Sequence, residues 1–425
     1  MIESQAGLID RIRDRFCHVN RCPYQGERIF FENAGGALTL KSVVETTAEL
    51  AAIPDNQGRD NPASQALMRL IAKAKDDIRT FFNAPSGTVF VGESGTELLF
   101  RLISTAALGA PEGGQVLGST LEHPASRSAC ARWAKVAQKE YVAVPHNSET
   151  GSVNADDYRP YITPHTRVAT IVHTSPVTGM AVDVAAIARE IRQVAPDCYI
   201  VVDGIQHAAH GRVDIASYDI DGYAISPYKV FSRHGYGVAW ASERLTALPH
   251  DNLSGSGGPE DGWELGTRDT AAYATFSDVV GYFAWLGQQF TESGDPRKQI
   301  EAAGAAIHAQ EKALTDAMLY GTGNLMGLAD MPGVGIIGGV ENPLREGLVS
   351  MVVEGQPSEA VVARLRDEGI RVHVRKDDHY SGNILKPLGL TSCIRVSMCH
   401  YNTREEVARF LTAMQSIAAE GTRAK

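Results

Sequence analysis

Cysteine is sparse in this chain: Cys17, Cys22, Cys130, Cys198, Cys393 and Cys399 are scattered over 425 residues, and no two are spaced as C-x-x-C. That pattern argues against a disulfide framework and against a zinc-ligand cluster. Long apolar runs are missing too. The stretch Met1 to Phe16 mixes charges into a helical apolar spacing, so neither an export signal nor a membrane span is expected there. Positive charge is in deficit, with 40 Lys+Arg against 50 Asp+Glu and a net charge of −10. This disfavours nucleic acid or an anionic membrane as the main partner and leaves room for a local basic pocket. Repeats and low-complexity segments are absent. What remains is an ordinary globular composition, 44% hydrophobic and 21% charged, long enough for a large core and a second, smaller domain. A cytoplasmic location is the expectation.

Two apolar runs end in reactive side chains. Tyr199 to Val202 is a continuous β-branched and aromatic run that stops at Asp203-Gly204, and Tyr223 to Ile225 stops at Ser226 and Lys229. Such runs suit strands buried on both faces of a parallel sheet. Ligands bind outside the carboxyl ends of strands in open α/β sheets, which would bring the acid and the amine into one crevice. A lysine that forms a Schiff base and a carboxylate that keeps a pyridine nitrogen protonated are what a pyridoxal phosphate site needs. Taken alone, the pair is better read as a capped strand end and a solvated loop.

The same pattern recurs around them. Strand candidates lie at Thr88–Val91, Gln115–Ser119, Glu140–Val144, Arg167–His173, Tyr199–Asp203, Gly222–Ser226 and Gly237–Ala241, with helix-compatible segments between most of them. The expected fold class is therefore α/β, with a seven-stranded, mainly parallel sheet in a large domain. Residues 1–28 read as a helix and a linker, and Lys41 to Phe82 as helix interrupted between Asn56 and Pro62. The run Ser254 to Gly258 reads as a ligand-adjacent loop, and Ala271–Gln289 and Pro296–Leu319 as helices, the second bridging. Gly347–Val353, Ser358–Glu368, Arg371–Val374, Cys393–Ser397 and Thr403–Ala419 make a smaller α+β domain. The expected organisation is 1–40 as a segment serving the small domain and active site, 41–295 as the cofactor-binding domain and 296–425 as the small domain.

Further side chains fall at carboxyl strand ends. Gly92 to Glu97 forms a small-residue turn into a helix, where free N–H groups of Gly95 and Thr96 could cradle a phosphate, although capped helix starts are common. His123 follows the second strand candidate, where an imidazole could stack on a pyridine ring or serve the fold.

In order along the chain, Gly95-Thr96, Glu122-His123, Asp203-Gly204-Ile205-Gln206-His207, Ser226-Pro227-Tyr228-Lys229 and Cys393-Ile394-Arg395-Val396-Ser397 resemble the class V aminotransferase family of fold-type I pyridoxal phosphate enzymes. Cysteine desulfurases, selenocysteine lyases, kynureninases and isopenicillin N epimerases belong to that group. The resemblance runs from Phe31 to about residue 415 and implies roles position by position. Lys229 would hold the cofactor and move the Cα proton, Asp203 would pair with the pyridine nitrogen, Gln206 would bond the phenolic oxygen and His123 would stack on the ring. Gly95, Thr96, Ser226 and Tyr228 would contact the phosphate. Thr267, in Trp263 to Thr267, would reach the phosphate of a neighbouring subunit, which implies a homodimer with shared sites. Arg395 would hold the substrate carboxylate in a bidentate fork, with Asn33 and Gly35 lining that end.

Departures from the family pattern narrow the expectation. The segment Arg375 to Asn383 has no cysteine where cysteine desulfurases carry their persulfide nucleophile, and Pro176 stands where an asparagine is common. Cys393, at the start of the Arg395 strand, reads as a packing residue. Arg375, His379, Tyr380, His207, His210 and His234 are candidates for reading the substrate side chain or for structural roles. The expected activity is a cysteine-desulfurase-like lyase acting on a small amino acid. Aminotransferase or epimerase is the second reading, and a regulator without turnover the third. No metal is expected.

Overall fold

The computed structural model describes residues 2–55, 57–253 and 262–423. In chain order the main elements are α1 (Leu8–Arg13), α2 (Lys41–Ala51), α3 (Pro62–Phe82), β1 (Thr88–Gly92), α4 (Gly95–Gly109), β2 (Gln115–Ser119), α5 (Pro124–Val136), β3 (Glu140–Val144), β4 (Thr166–Val172), α6 (Val184–Val194), β5 (Tyr199–Asp203), β6 (Gly222–Ile225) and β7 (Gly237–Ala241). There follow α7 (Thr270–Gly287), α8 (Pro296–Tyr320), β8 (Val334–Ile336), β9 (Leu348–Val353), α9 (Ser358–Asp367), β10 (His373–Lys376), β11 (Ser392–Ser397) and α10 (Arg404–Arg423).

Strands β1 to β7 form one seven-stranded sheet in the order β1-β7-β6-β5-β4-β2-β3. Only β7 runs against its neighbours, β1 and β6, so the other six point the same way. This is the expected mainly parallel sheet. Its strands are buried because helices cover both faces, and their sequences accordingly read as unbroken apolar runs. The parallel arrangement has one functional consequence: the carboxyl ends of β1, β2, β4, β5 and β6 open on a single edge.

A second, four-stranded sheet, β8-β9-β11-β10, is antiparallel and has its own apolar core, with Phe31, Val349, Ile394 and Phe410 among its members. Helix α8 links the two cores. Its first half packs Ile300 and Ile307 into the large one, and its second half packs Leu314 and Met318 into the small one. Gly287 at the end of α7 makes the crossing close, since a Cβ there would lie 1.8 Å from Gln299 O on α8.

Three expectations need adjustment. Residues 1–28 hold more than a helix and a linker, because Arg21–Cys22 and Gly26–Glu27 pair as a small hairpin across a turn at 23–25, with Gly26 directly after it at φ +85°. The expected strand Arg371–Val374 is two: Ile370–Arg371 pairs in parallel with Ile29–Phe30, and β10 pairs with β11. One apolar run thus serves two sheets, and sequence spacing does not show partners. The expected loop Ser254–Gly258 lies outside the described residues. Among those described, no helix is long and apolar enough to cross a membrane.

Candidate active site

A cleft of about 480 Å³ opens where the carboxyl edge of the large sheet meets the small sheet, lined by Glu32, Ala34, Gly35, His123, Pro176, Tyr228, Lys229, His373 to Lys376, Asp378, Tyr380 and Arg395. Each large-domain residue arrives by the same local device, a buried strand that stops at the sheet edge. A larger cavity of about 730 Å³ lies beside the cleft, between α5, β3 and His379 to Pro387. Of the residues singled out from sequence only His379 lines it, so the chemistry is read from the smaller one.

Lys229 follows β6 in a short 3-10 turn and partly faces the cleft. Burial and Arg395 push its amine down to about 7, against a weaker opposing pull from Asp203. Its Nζ donates to Gln206 Oε1 at 3.1 Å. Asp203 ends β5 and is 4% exposed. Its carboxylate accepts from Ile205 N at 3.0 Å and from Ser126 Oγ at 3.4 Å. Burial pushes its pKa up. Lys229 opposes that shift without cancelling it, and a protonated ring nitrogen would supply a closer cationic partner.

His123 caps α5, its Nδ1 accepting from Ala125 N at 3.1 Å. The proton therefore sits on Nε2, and burial together with the charges of Lys229 and Arg375 pushes the ring down to about 3, so it is neutral. Its neighbour Glu122 belongs to the motif quoted from sequence but was given no role there. That carboxyl, 1% exposed, accepts from Ser119 N and lies 2.8 and 2.9 Å from Thr170 Oγ1, and burial pushes it up to about 8. Burial, the property that sets it apart, is invisible in sequence.

At the start of α4 the Ser94 side chain accepts from Glu97 N. The first-turn N–H groups of Gly95 and Thr96 have no partner within the helix, as at any helix start. Gly95 is buried and Thr96 exposed. A Cβ on Gly95 would stand 2.4 Å from Ser226 Oγ, so the glycine lets β6 and the helix start converge into one cradle. Tyr228 stacks on His234 with centroids 4.3 Å apart.

The small sheet delivers Arg395, on β11, which is 2% exposed. Its Nη1 donates to Pro176 O at 2.9 Å, and its buried Nε has no partner. Gly35 packs against it, an added Cβ lying 3.6 Å from Nη2. Burial and Arg375 lower its pKa, so a facing anion would be stabilised. Asn33 is used differently: its amide donates to Ser397 O at 2.8 Å and accepts from the Tyr401 hydroxyl, which ties the N-terminal segment to the small sheet.

Arg375 and Tyr380 line the cleft, while His379 lines the neighbouring cavity. His207 and His210 are buried behind the lysine, paired with Glu346 and Glu311. Thr267 is exposed and lies outside the cleft of its own chain. None of the six cysteines lines the cleft; Cys393 packs with Ile337 and Leu385.

The geometry fits a pyridoxal phosphate site: a lysine amine near neutrality, a buried carboxylate raised by burial, a neutral imidazole, a glycine-opened anion cradle and an arginine with a spare donor converge at one sheet edge.

Comparison with known proteins agrees. The profile of the aminotransferase class-V family matches residues 29–410. The nonribosomal peptide synthetase-like enzyme fsqF of Aspergillus fumigatus is 28% identical over 407 residues; the match covers 91% of this chain and only 25% of fsqF, a far longer protein. The cysteine desulfurase-like protein ustD of Aspergillus flavus is 27% identical, with 93% of this chain and 89% of that protein covered. Among solved structures, the apo cysteine desulfurase from Thermococcus onnurineus has a TM-score of 0.83 at 20% identity, covering 97% of this chain and 98% of that one. The cysteine desulfurase CsdA of Escherichia coli has a TM-score of 0.77 at 22% identity, covering 97% and 98%. These two likenesses concern the fold.

Proposed function

The chain belongs to the aminotransferase class-V family, whose members are pyridoxal-phosphate-dependent enzymes, and on that premise we propose that it is a lyase acting on a small amino acid. The observation that carries this reading is the placement of Lys229 and Arg395 on opposite domains across one cleft, the amine held near pH 7 and the guanidinium with an unpartnered donor.

Bound there, pyridoxal phosphate supplies an electron sink for the negative charge left at Cα when its proton departs. Asp203 would face the pyridine nitrogen and hold its proton in place, while Gln206 would bond the phenolic oxygen and His123 would lie against the ring face. Gly95, Thr96, Ser226 and Tyr228 would take the phosphate. Arg395 fixes the substrate carboxylate and so sets which bond at Cα faces the lysine. Lys229, freed by the incoming amino group, takes the Cα proton. An amine with a pKa near the working pH can both accept and return it.

The absent cysteine shapes the outcome. Persulfide formation requires a thiolate beside the substrate, and Tyr380, Arg375 and Asp378 occupy that wall instead. We therefore favour loss of a β-substituent to solvent over transfer to a protein thiol. In this reading residues 41–295 bind the cofactor and 296–425 with 1–40 close over the substrate. The enzyme is a cytoplasmic homodimer in which the partner subunit's Thr267 completes the phosphate site.

Incubating the reconstituted enzyme with a panel of amino acids tests the assignment. Pyruvate, ammonia or a sulfur product is expected without added keto acid. Amino transfer that depends strictly on a keto acid, or inversion alone, would contradict the lyase reading.

A further inference from the structure

The lysine is tied to a chain of buried groups that leads away from the substrate. Lys229 Nζ donates to Gln206 Oε1 at 3.1 Å, Gln206 Nε2 lies 3.2 Å from His210 Nε2, and His210 Nδ1 lies 2.8 Å from Glu311 Oε2. Gln206 and His210 are each 5% exposed and Glu311 2%, so no link competes with bulk water. Helix α8, the bridge between the two cores, supplies Glu311.

We propose that His210, backed by Glu311, is a positioning residue that decides which end of the Gln206 amide faces Lys229 and the oxygen bound beside it. The proposal rests on the cofactor assignment above. Its logic is a donor and acceptor count. With only the lysine present, Gln206 turns its oxygen to the ammonium and its N–H to His210 Nε2. That nitrogen must then accept, so His210 is neutral, its proton on Nδ1 and shared with Glu311. An anionic phenolic oxygen beside Lys229 requires the reverse: the Gln206 N–H must face it, which turns Oε1 toward His210. His210 Nε2 must then donate while Nδ1 stays bonded to Glu311, so the His210–Glu311 pair carries one proton more than before. Cofactor binding, amide reversal and proton uptake at the His210–Glu311 pair are one linked event.

The surroundings permit that extra proton. Burial opposes charge on His210, but Glu311 and then Glu346 outweigh it, and the imidazole is raised above its ordinary range against a smaller opposing effect of Lys229. His400 adds no charge, because burial and His210 push it to about 3. Cys399, whose Sγ belongs to the same cluster, is kept as a neutral thiol by burial. The parallel pair, His207 Nδ1 with Glu346 Oε1 at 2.7 Å, provides an internal contrast. Its other nitrogen meets Arg212 O at 3.3 Å and does not reach Gln206.

The test follows the visible absorbance of the lysine-bound cofactor against pH in reconstituted wild type, His210→Phe, Glu311→Gln and His207→Gln. A Gln206 N–H bonded to the phenolic oxygen draws charge from it and weakens its grip on the proton of the lysine linkage. Without the His210–Glu311 pair to hold Oε1, the amide is no longer fixed with its N–H on the phenolic oxygen, so that bond weakens and the titration midpoint should rise by about one pH unit in the His210 and Glu311 variants. His207→Gln should leave it in place. Should His210→Phe fail to fold, the near-isosteric Glu311→Gln carries the test. Normal cofactor absorbance with an unmoved midpoint in the Glu311 variant would overturn the proposal and leave the cofactor assignment standing, as would an equal shift in His207→Gln. A wild type that never develops the absorbance would overturn both.

Discussion

Arg395 shows how one side chain can be both costly and useful. It is nearly fully buried, one N–H is spent on Pro176 O, and Nε is left without a partner. A carboxylate would complete it with two parallel bonds, which an ammonium cannot copy. Arg395→Lys should therefore raise KM roughly 10- to 100-fold, about 1.4–2.8 kcal/mol, with the cofactor spectrum unchanged; steady-state kinetics with a spectral control checks this. Glu122 makes a different statement. Its folded pKa of about 8 lies above the ordinary carboxyl value of 4.5, so the folded state binds the extra proton and stability declines as pH rises through that interval. Glu122→Gln keeps a donor for Thr170 and an acceptor for Ser119 N while removing the titration. The variant should match wild type in thermal midpoint near pH 4.5 and exceed it near pH 9. Asp203 and Lys229 were legible as candidates because each follows an apolar run, and Gln206 and Arg395 only through the family resemblance. Glu122, Glu311 and Glu346 were not, because a glutamate looks the same in sequence whether it is solvated or buried against histidine.

The seven strands of the large sheet could be read almost residue for residue, since a strand buried on both faces admits little but β-branched, aromatic and small residues. Where one run serves two partners, as at Ile370 to Lys376, the same reading produced a single strand in place of two. Helix starts were legible as turns, but their partners were not. Gly95 matters because Ser226, more than a hundred residues later, stands where its Cβ would be. Gly95→Ala should push the helix start off β6 and weaken retention of pyridoxal phosphate by about tenfold or more, while the cofactor-free protein stays folded at a cost of about 1–3 kcal/mol. Equilibrium dialysis of the cofactor measures it. If retention were unchanged, Gly95 would not belong to the phosphate cradle.

At the scale of the whole molecule, the cleft joins two separately cored sheets through α8, and the small sheet reaches it with Arg395. Thr267, exposed and not among the residues lining its own cleft, gives the proposed dimer a test of geometry. Lys229→Ala and Thr267→Ala should each be impaired alone. Mixed dimers contain one site with both side chains, so unfolding and refolding the two variants together should restore about a quarter of wild-type turnover, the statistical share of intact sites. No restoration would place Thr267 outside a shared site. The central claim is that Lys229 removes the Cα proton. With an amino acid deuterated at Cα as substrate, the label should pass to water in step with turnover and stay in place with Lys229→Ala. Release of the label at the wild-type rate by Lys229→Ala loaded with pyridoxal phosphate would contradict the claim.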